Sequence, residues 1–285
     1  MHQKNNMNLR IIIKKIPLIG PMIVSVRRLL RRLILVPGWR RKAQIAYAQL
    51  AKSIPLNVSI YLPKIVRSEK AVIIQIGSND GVSNDPVHEL LLEREKWSAV
   101  FVEPVPYVFD RLKSNYPSSS RFVFENSLIN DGSTQVFYWV SEEARKALPQ
   151  LPGHWDQLGG FRRSHITNHE PELEPFILQA EIKGLTLDGL FKKHGIEDFD
   201  MIHTDTEGHD YAIISQLDLK KYQPKAILFE RCHLTTHEEL DVIRFLQEFY
   251  VLYYFDTDIL AVEKETGNAI HDAMMPLRSL IIPRL

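Results

Sequence analysis

The chain predicts a doubly wound α/β sheet that ends in an antiparallel hairpin and is preceded by a basic helical arm. Three observations carry that expectation. Residues 71–85, AVIIQIGSNDGVSND, pass from a buried apolar strand through a glycine turn into a helical pattern. Residues 98–102, SAVFV, form a second apolar strand that stops at Glu103-Pro104. Residues 250–255 and 259–263 flank Asp256-Thr257-Asp258, the pattern of a closing hairpin.

Strand, glycine turn and helix together open a nucleotide-binding α/β unit. Gly77 and Gly81 permit backbone angles that a side chain forbids and let a ligand approach closely. Taken alone, they fit an ordinary strand-to-helix turn equally well. Glu103 strengthens the nucleotide reading, because an acid at the tip of the second strand, about 20 residues past the turn, commonly holds ribose hydroxyls. The competing reading is a solvated strand-end glutamate.

The 285 residues carry 35 basic and 35 acidic side chains, but unevenly. No Asp or Glu precedes Glu69, whereas 14 Lys and Arg do, which leaves 21 basic residues against all 35 acids in the remainder. We divide the chain into a basic arm (1–68), a body (69–265) with an inserted cap loop (141–180), and a tail (266–285). Within the arm, Met22, Ile23, Val26, Leu29, Leu30 and Leu33 share one helical face, and Arg27, Arg28, Arg31 and Arg32 the other. Such a helix either lies in an anionic membrane interface or docks on the acidic body. Liposome sedimentation with and without residues 1–40 separates these readings. Nucleic acid is not expected, since no aromatic residues interleave with the arm's cations. The apolar run at 16–26 is far shorter than the ~20 residues of a membrane span, and no cleavage site follows it. Cys232 is the single cysteine, so no internal disulfide forms. The expected location is the cytoplasm, peripheral to the inner face of the membrane.

Along the body, residues 56–67 read as an irregular lead-in. A helix follows Pro86, and another carries Tyr107, Val108, Leu112 and Tyr116 up to Pro117. Residues 121–124 make a third strand, and Asn126 beyond it is placed to meet the base of a nucleotide. Residues 134–140 make an added strand. The stretch 141–180 has no clean periodicity and reads as an acceptor-binding cap, or else a mobile insertion. Residues 181–185 are extended, 188–194 helical, and Gly195 stops that helix. At 200–211, DMIHTDTEGHDY, a short apolar strand runs into two histidines and several carboxylates, where open α/β sheets bind ligands. Residues 226–229 form another strand. Thr235-Thr236 with Glu238-Glu239 makes two overlapping capping boxes, which leaves His237 a plain first-turn residue.

Three stretches together resemble the FkbM family of S-adenosylmethionine-dependent methyltransferases: IIQIGSNDG with FVEP downstream, LTLDGLF, and DMIHTDTEGHDYAII followed by AILFE. The resemblance spans about residues 69–263 and implies a class I methyltransferase (Rossmann-like) fold with S-adenosylmethionine as cofactor. It implies that Gly77, Asn79, Asp80 and Gly81 wrap the methionine part of the donor, that Glu103 holds the ribose, and that Asn126 lies near the adenine. Gln75 departs from the pattern, since many members carry Asp there. Asp80 or Asp85 then supplies the missing charge. DTEGHD resembles the family's D-x-E-G-x-E/D signature, which sets Asp205 where acceptor and methyl meet. Base candidates are Asp205, His203, His209 and His233. A divalent metal, if used to acidify an alcohol, has Asp205, Glu230 and His233 as candidate ligands. Cys232 is expected to be a buried small hydrophobe. The implied activity is O-methyl transfer to a hydroxyl, in particular of a sugar in a glycan or glycolipid. The alternatives are a nicotinamide-dependent oxidoreductase, which lacks the third glycine of G-x-G-x-x-G and gives DTEGHD no role, and a non-catalytic binding module of the same fold.

Overall fold

The computed structural model describes residues 58–255 and 257–267. The predicted arm helix, Asp256 and the tail from residue 268 lie outside them. Where the sequence predicts an irregular lead-in, a 3-10 turn (Val58–Ile60) and a short helix α1 (Leu62–Ile65) form instead, with Pro63 in the first turn. A proline there forfeits no hydrogen bond, and Leu62 and Ile65 are buried.

The first half of the body alternates strand and helix: β1 (Val72–Ile76), α2 (His88–Glu93), β2 (Ser98–Val102), α3 (Pro106–Ser114) and β3 (Phe122–Glu125). An antiparallel pair follows, β4 (Thr134–Val140) and β5 (Ile177–Lys183), with α4 (Glu143–Ala147) and α5 (Arg163–His169) between its strands. The alternation then resumes with α6 (Leu187–His194), β6 (Met201–Thr204), α7 (Asp210–Ile214), β7 (Ala226–Glu230), α8 (Thr236–Leu246), β8 (Tyr250–Tyr254), β9 (Asp258–Glu263) and α9 (Lys264–Gly267).

Seven strands form one sheet in the order β3-β2-β1-β6-β7-β9-β8. The pairings from β3 through β7 are parallel, while β9 runs antiparallel to both β7 and β8. This is the doubly wound sheet with a terminal hairpin that the sequence predicts. The chain works outward from β1 to β3, then returns to lay β6 on the other side of β1. The loops after β1 and β6 therefore meet at the point where the strand order reverses, which is where such sheets bind ligands. Ile73, Ile74, Phe101, Ile202 and Phe229 are almost completely buried, as strands covered on both faces require.

Local signals set the boundaries. Thr186 caps α6 by accepting from the Gly189 N–H at 2.9 Å, and Gly195 ends it in a left-handed conformation. Of the two predicted capping boxes only one forms: Thr235 and Glu238 bond reciprocally and start α8. The insertion is more ordered than its sequence suggests. β5 starts at Ile177 rather than 181, and Val140, Ala144, Leu151, Trp155, Leu158, Ile166 and Leu173 pack as a small core of their own. Phe137 joins this segment to Val105, Val108 and Leu128 beside α3. The Tyr107 hydroxyl, donating to the Val140 carbonyl, and the Arg111–Asp156 ion pair tie it down further.

Candidate functional site

The glycine turn is held from beneath. The Gly77 and Ser78 N–H groups both donate to the Val102 carbonyl at 3.0 Å, and the Ser78 hydroxyl bridges the Gln75 carbonyl and the Val102 N–H. Gly77 has φ +77°, Gly81 +69°, and Asn79, a residue with a side chain, +47°. Left-handed backbone at Asn79 is a local strain that the surrounding bonds sustain. Glu103 provides one of those bonds: Oε2 accepts from the Asn79 N–H at 2.9 Å and Oε1 from the Val105 N–H at 2.8 Å. Burial pushes its carboxyl up to about 7, against the pull of these two donors.

Gln75 points into the interior. Its amide nitrogen donates to Asp85 Oδ2 at 2.9 Å, and its Oε1 is buried without a hydrogen-bond partner. Asp85 also accepts from the N–H groups of Val87 and His88. Asp80 instead turns onto its own loop, accepting from Val82 and Ser83. The carboxylate beside the strand end is therefore Asp85, delivered from the loop and coupled to β1 through Gln75. Asn126, expected beside a base, is exposed and donates to the carbonyls of Glu103 and Pro104, so it props the turn that carries Glu103.

The acidic loop abuts the glycine turn. The Asp205 N–H donates to the Ile76 carbonyl at 3.0 Å. A Cβ built on Gly77 would fall 2.7 Å from the Asp205 carbonyl carbon and overlap its oxygen. Only glycine lets the two loops touch. Asp205 is an exposed residue whose carboxyl is crowded by protein and flanked by Glu230, Asp210 and Glu207; desolvation first, then those charges, raises its pKa well above the usual range. Glu230 is pushed up to about 8 and Asp210 to about 6, both by burial before other causes. Asp210 accepts from the Thr206 hydroxyl at 3.0 Å, which fixes the loop's shape.

The histidines separate into different environments. His203 lies mid-strand between Gln75 and Leu228, fully enclosed, with burial lowering its pKa to about 4. It is a buried neutral side chain, which corrects its reading as a base facing the acceptor. His209 packs against Phe161 of the insertion, ring centroids 4.5 Å apart. His233 lies 3.2 Å from Glu207 Oε2 and 3.8 Å from Glu230 Oε1. His165 and His169 of α5 complete a cluster with it. Among the described residues, the groups whose donor atoms converge within 4.8 Å are His165–His169–His233 and Glu230–Cys232–His233. The expected ligand set of Asp205, Glu230 and His233 does not converge as one. Cys232 is exposed rather than buried, and its thiol donates to Glu230. Glu207, His165 and His169 escaped the sequence reading as site residues, although the i, i+4 spacing of the two histidines places them on one face of a helix.

A family model described as the methyltransferase FkbM domain matches residues 75–253. The chain belongs to the FkbM methyltransferase family. No curated protein matches it. Solved structures similar to it include an O-methyltransferase from Bacillus cereus in complex with SAH (16% identity, 84% of this chain and 97% of that one, TM-score 0.35). The N-methyltransferase NodS from Bradyrhizobium japonicum WM9 is another (12% identity, 80% and 97%, TM-score 0.35). A precorrin-6y C5,15-methyltransferase from Geobacter metallireducens GS-15 is a third (10% identity, 72% and 86%, TM-score 0.37).

As an FkbM family member, the chain is an S-adenosylmethionine-dependent methyltransferase. When bound, this cofactor supplies an electrophilic methyl group on a sulfonium. The residues present fit it. The left-handed turn at Gly77, Asn79 and Gly81 lies at the tip of β1, where such sheets bind nucleotides, and each Glu103 oxygen keeps a lone pair for a ribose hydroxyl after accepting its backbone N–H. Asp85 and the unpartnered Gln75 Oε1 supply the polar ground beside the turn. No helix among the described residues is long and apolar enough to cross a membrane.

Proposed function

We propose that this methyltransferase transfers its methyl group to a hydroxyl, in particular of a sugar in a glycan or glycolipid, with Asp205 as the base. The observation that carries this reading is the contact between Gly77 and the Asp205 backbone, which brings the acidic loop against the donor turn. In-line displacement needs the acceptor oxygen held against the methyl carbon, and two loops in contact fix that spacing. A carboxyl with a raised pKa is a stronger proton acceptor than a free aspartate once ionised. Glu230 offers a further acceptor to a neighbouring hydroxyl of a polyol. Phe161, packed on His209, adds an apolar surface of the kind that covers a sugar face.

The test is transfer of a labelled methyl group from S-adenosylmethionine into neutral sugars, oligosaccharides and lipid-linked glycans. The expected product is an alkali-stable ether. Asp205→Asn should lose roughly 10²–10⁴-fold in turnover while its affinity for S-adenosylhomocysteine stays unchanged. Label appearing only in amines or in alkali-labile esters would overturn the acceptor class. Wild-type turnover in Asp205→Asn would overturn the base.

A further inference from the structure

We propose that His165, His169, His233 and Glu207 bind one divalent transition-metal ion of the zinc class, joining helix α5 of the insertion to the loops that follow β6 and β7. The site differs from the ligand set expected from sequence and does not rest on the acceptor reading.

Three features point to an ion rather than to ordinary hydrogen bonding. First, donor atoms of the three imidazoles lie within 4.8 Å of one another, although they come from two distant stretches of chain. Second, Glu207 Oε2 lies 2.9 Å from His165 Nε2 and 3.2 Å from His233 Nε2. The 2.9 Å approach lacks the alignment of a hydrogen bond, so His165 Nε2 and Glu207 Oε2 are both buried and unsatisfied. Buried polar atoms that approach without pairing are costly unless a third body satisfies them. A cation bound by both lone pairs would do so. Third, His169 Nδ1 lies 2.9 Å from the His165 carbonyl oxygen. A carbonyl only accepts, so Nδ1 carries the proton and Nε2 keeps the lone pair that a metal takes.

The backbone supports the same reading. Glu207 has φ +54° and is followed by Gly208 at +94°. A Cβ on Gly208 would sit 3.0 Å from the His233 carbonyl oxygen, so the strained turn brings Glu207 and His233 together. Ile166, wholly buried in the insertion's core, anchors the helix that presents His165 and His169.

Imidazole nitrogens with one carboxylate suit Zn²⁺, Fe²⁺ or Ni²⁺ better than Mg²⁺ or Ca²⁺, which prefer all-oxygen shells. Four ligands at about 2.0–2.1 Å stand about 3.4 Å apart in a tetrahedron. The three imidazole donors therefore close by at most about 1.4 Å on binding, and Glu207, which already meets His165 and His233, completes the set. The competing group, Glu230–Cys232–His233, shares His233, but its thiol is already donating to Glu230.

The experiment titrates Co²⁺ into the metal-stripped full chain, free of any affinity tag, and follows the visible d–d absorption. One Co²⁺ per chain should give the strong band of a four-coordinate site, displaced by one equivalent of Zn²⁺. His169→Gln and His165→Gln should each weaken Co²⁺ binding at least about tenfold while S-adenosylhomocysteine affinity, measured by calorimetry, stays unchanged as the folding control. Cys232→Ser should leave the band as it is. No stoichiometric Co²⁺ would overturn the site. So would a band that survives both histidine variants, or one that vanishes in Cys232→Ser.

Discussion

Gly77→Ala separates the cost of a backbone angle from the cost of a collision. Gly195 provides the reference, because it too is left-handed, at φ +63°, but a Cβ added there meets nothing within 4 Å. Gly195→Ala should therefore cost only the conformational penalty, about 1–2 kcal/mol. Gly77 at φ +77° carries the same penalty and in addition drives a Cβ into the backbone of Asp205. Backbone has no rotamer to escape into, so one loop must move, and the total loss should reach about 3–4 kcal/mol. The movement parts the donor turn from Asp205. If closing the loops again around the donor costs about 1.4 kcal/mol relative to the relaxed free variant, donor affinity falls tenfold. Urea denaturation of wild type, Gly195→Ala and Gly77→Ala gives the stability difference, and calorimetry with S-adenosylhomocysteine gives the affinity. Gly77→Ala matching Gly195→Ala in stability and wild type in affinity would refute the claim that the two loops are locked by contact.

Glu103 should make stability depend on pH. Its folded pKa of about 7 lies above the ordinary value of 4.5, so between those values the folded chain keeps a proton that the unfolded chain releases. It therefore withdraws stability as pH rises through that window, by about 3 kcal/mol in all, and withdraws no more above pH 7. Glu103→Gln removes that slope, and urea midpoints at pH 5 and 7.5 should show it; parallel profiles for the two proteins would show that the proton is not held. At the start of α8, Thr235→Ala should cost about 1 kcal/mol by losing the cap, whereas Thr236→Ala should stay within about 0.5 kcal/mol. Equal thermal shifts for the two would contradict the single capping box.

The strand-and-helix frame was legible because its signals are local. Apolar runs, Gly195 at a helix end and a Thr-x-x-Glu start each act within a few residues, and the sheet order follows once the strands are known. The insertion was not legible. Its core residues, from Val140 to Leu173, repeat with neither period, since two short helices and irregular chain share one small packing problem. The site divides in the same way. Gly77, Asn79 and Glu103 lie in contiguous motifs. That Asp85 rather than Asp80 meets Gln75, and that His165 meets Glu207, depend on contacts across 10 and 42 positions that no spacing rule encodes. His203 misled for a related reason: its neighbours in sequence are polar, but its neighbours in the sheet are Gln75 and Leu228.

The antiparallel pair and its helices carry an apolar interior separate from that of the main sheet. Grafting residues 134–183 between related chains should therefore carry this small core across intact. Acceptor selectivity that travels with the graft is the outcome expected of an acceptor-binding cap, and selectivity that stays behind would assign it to the strand tips.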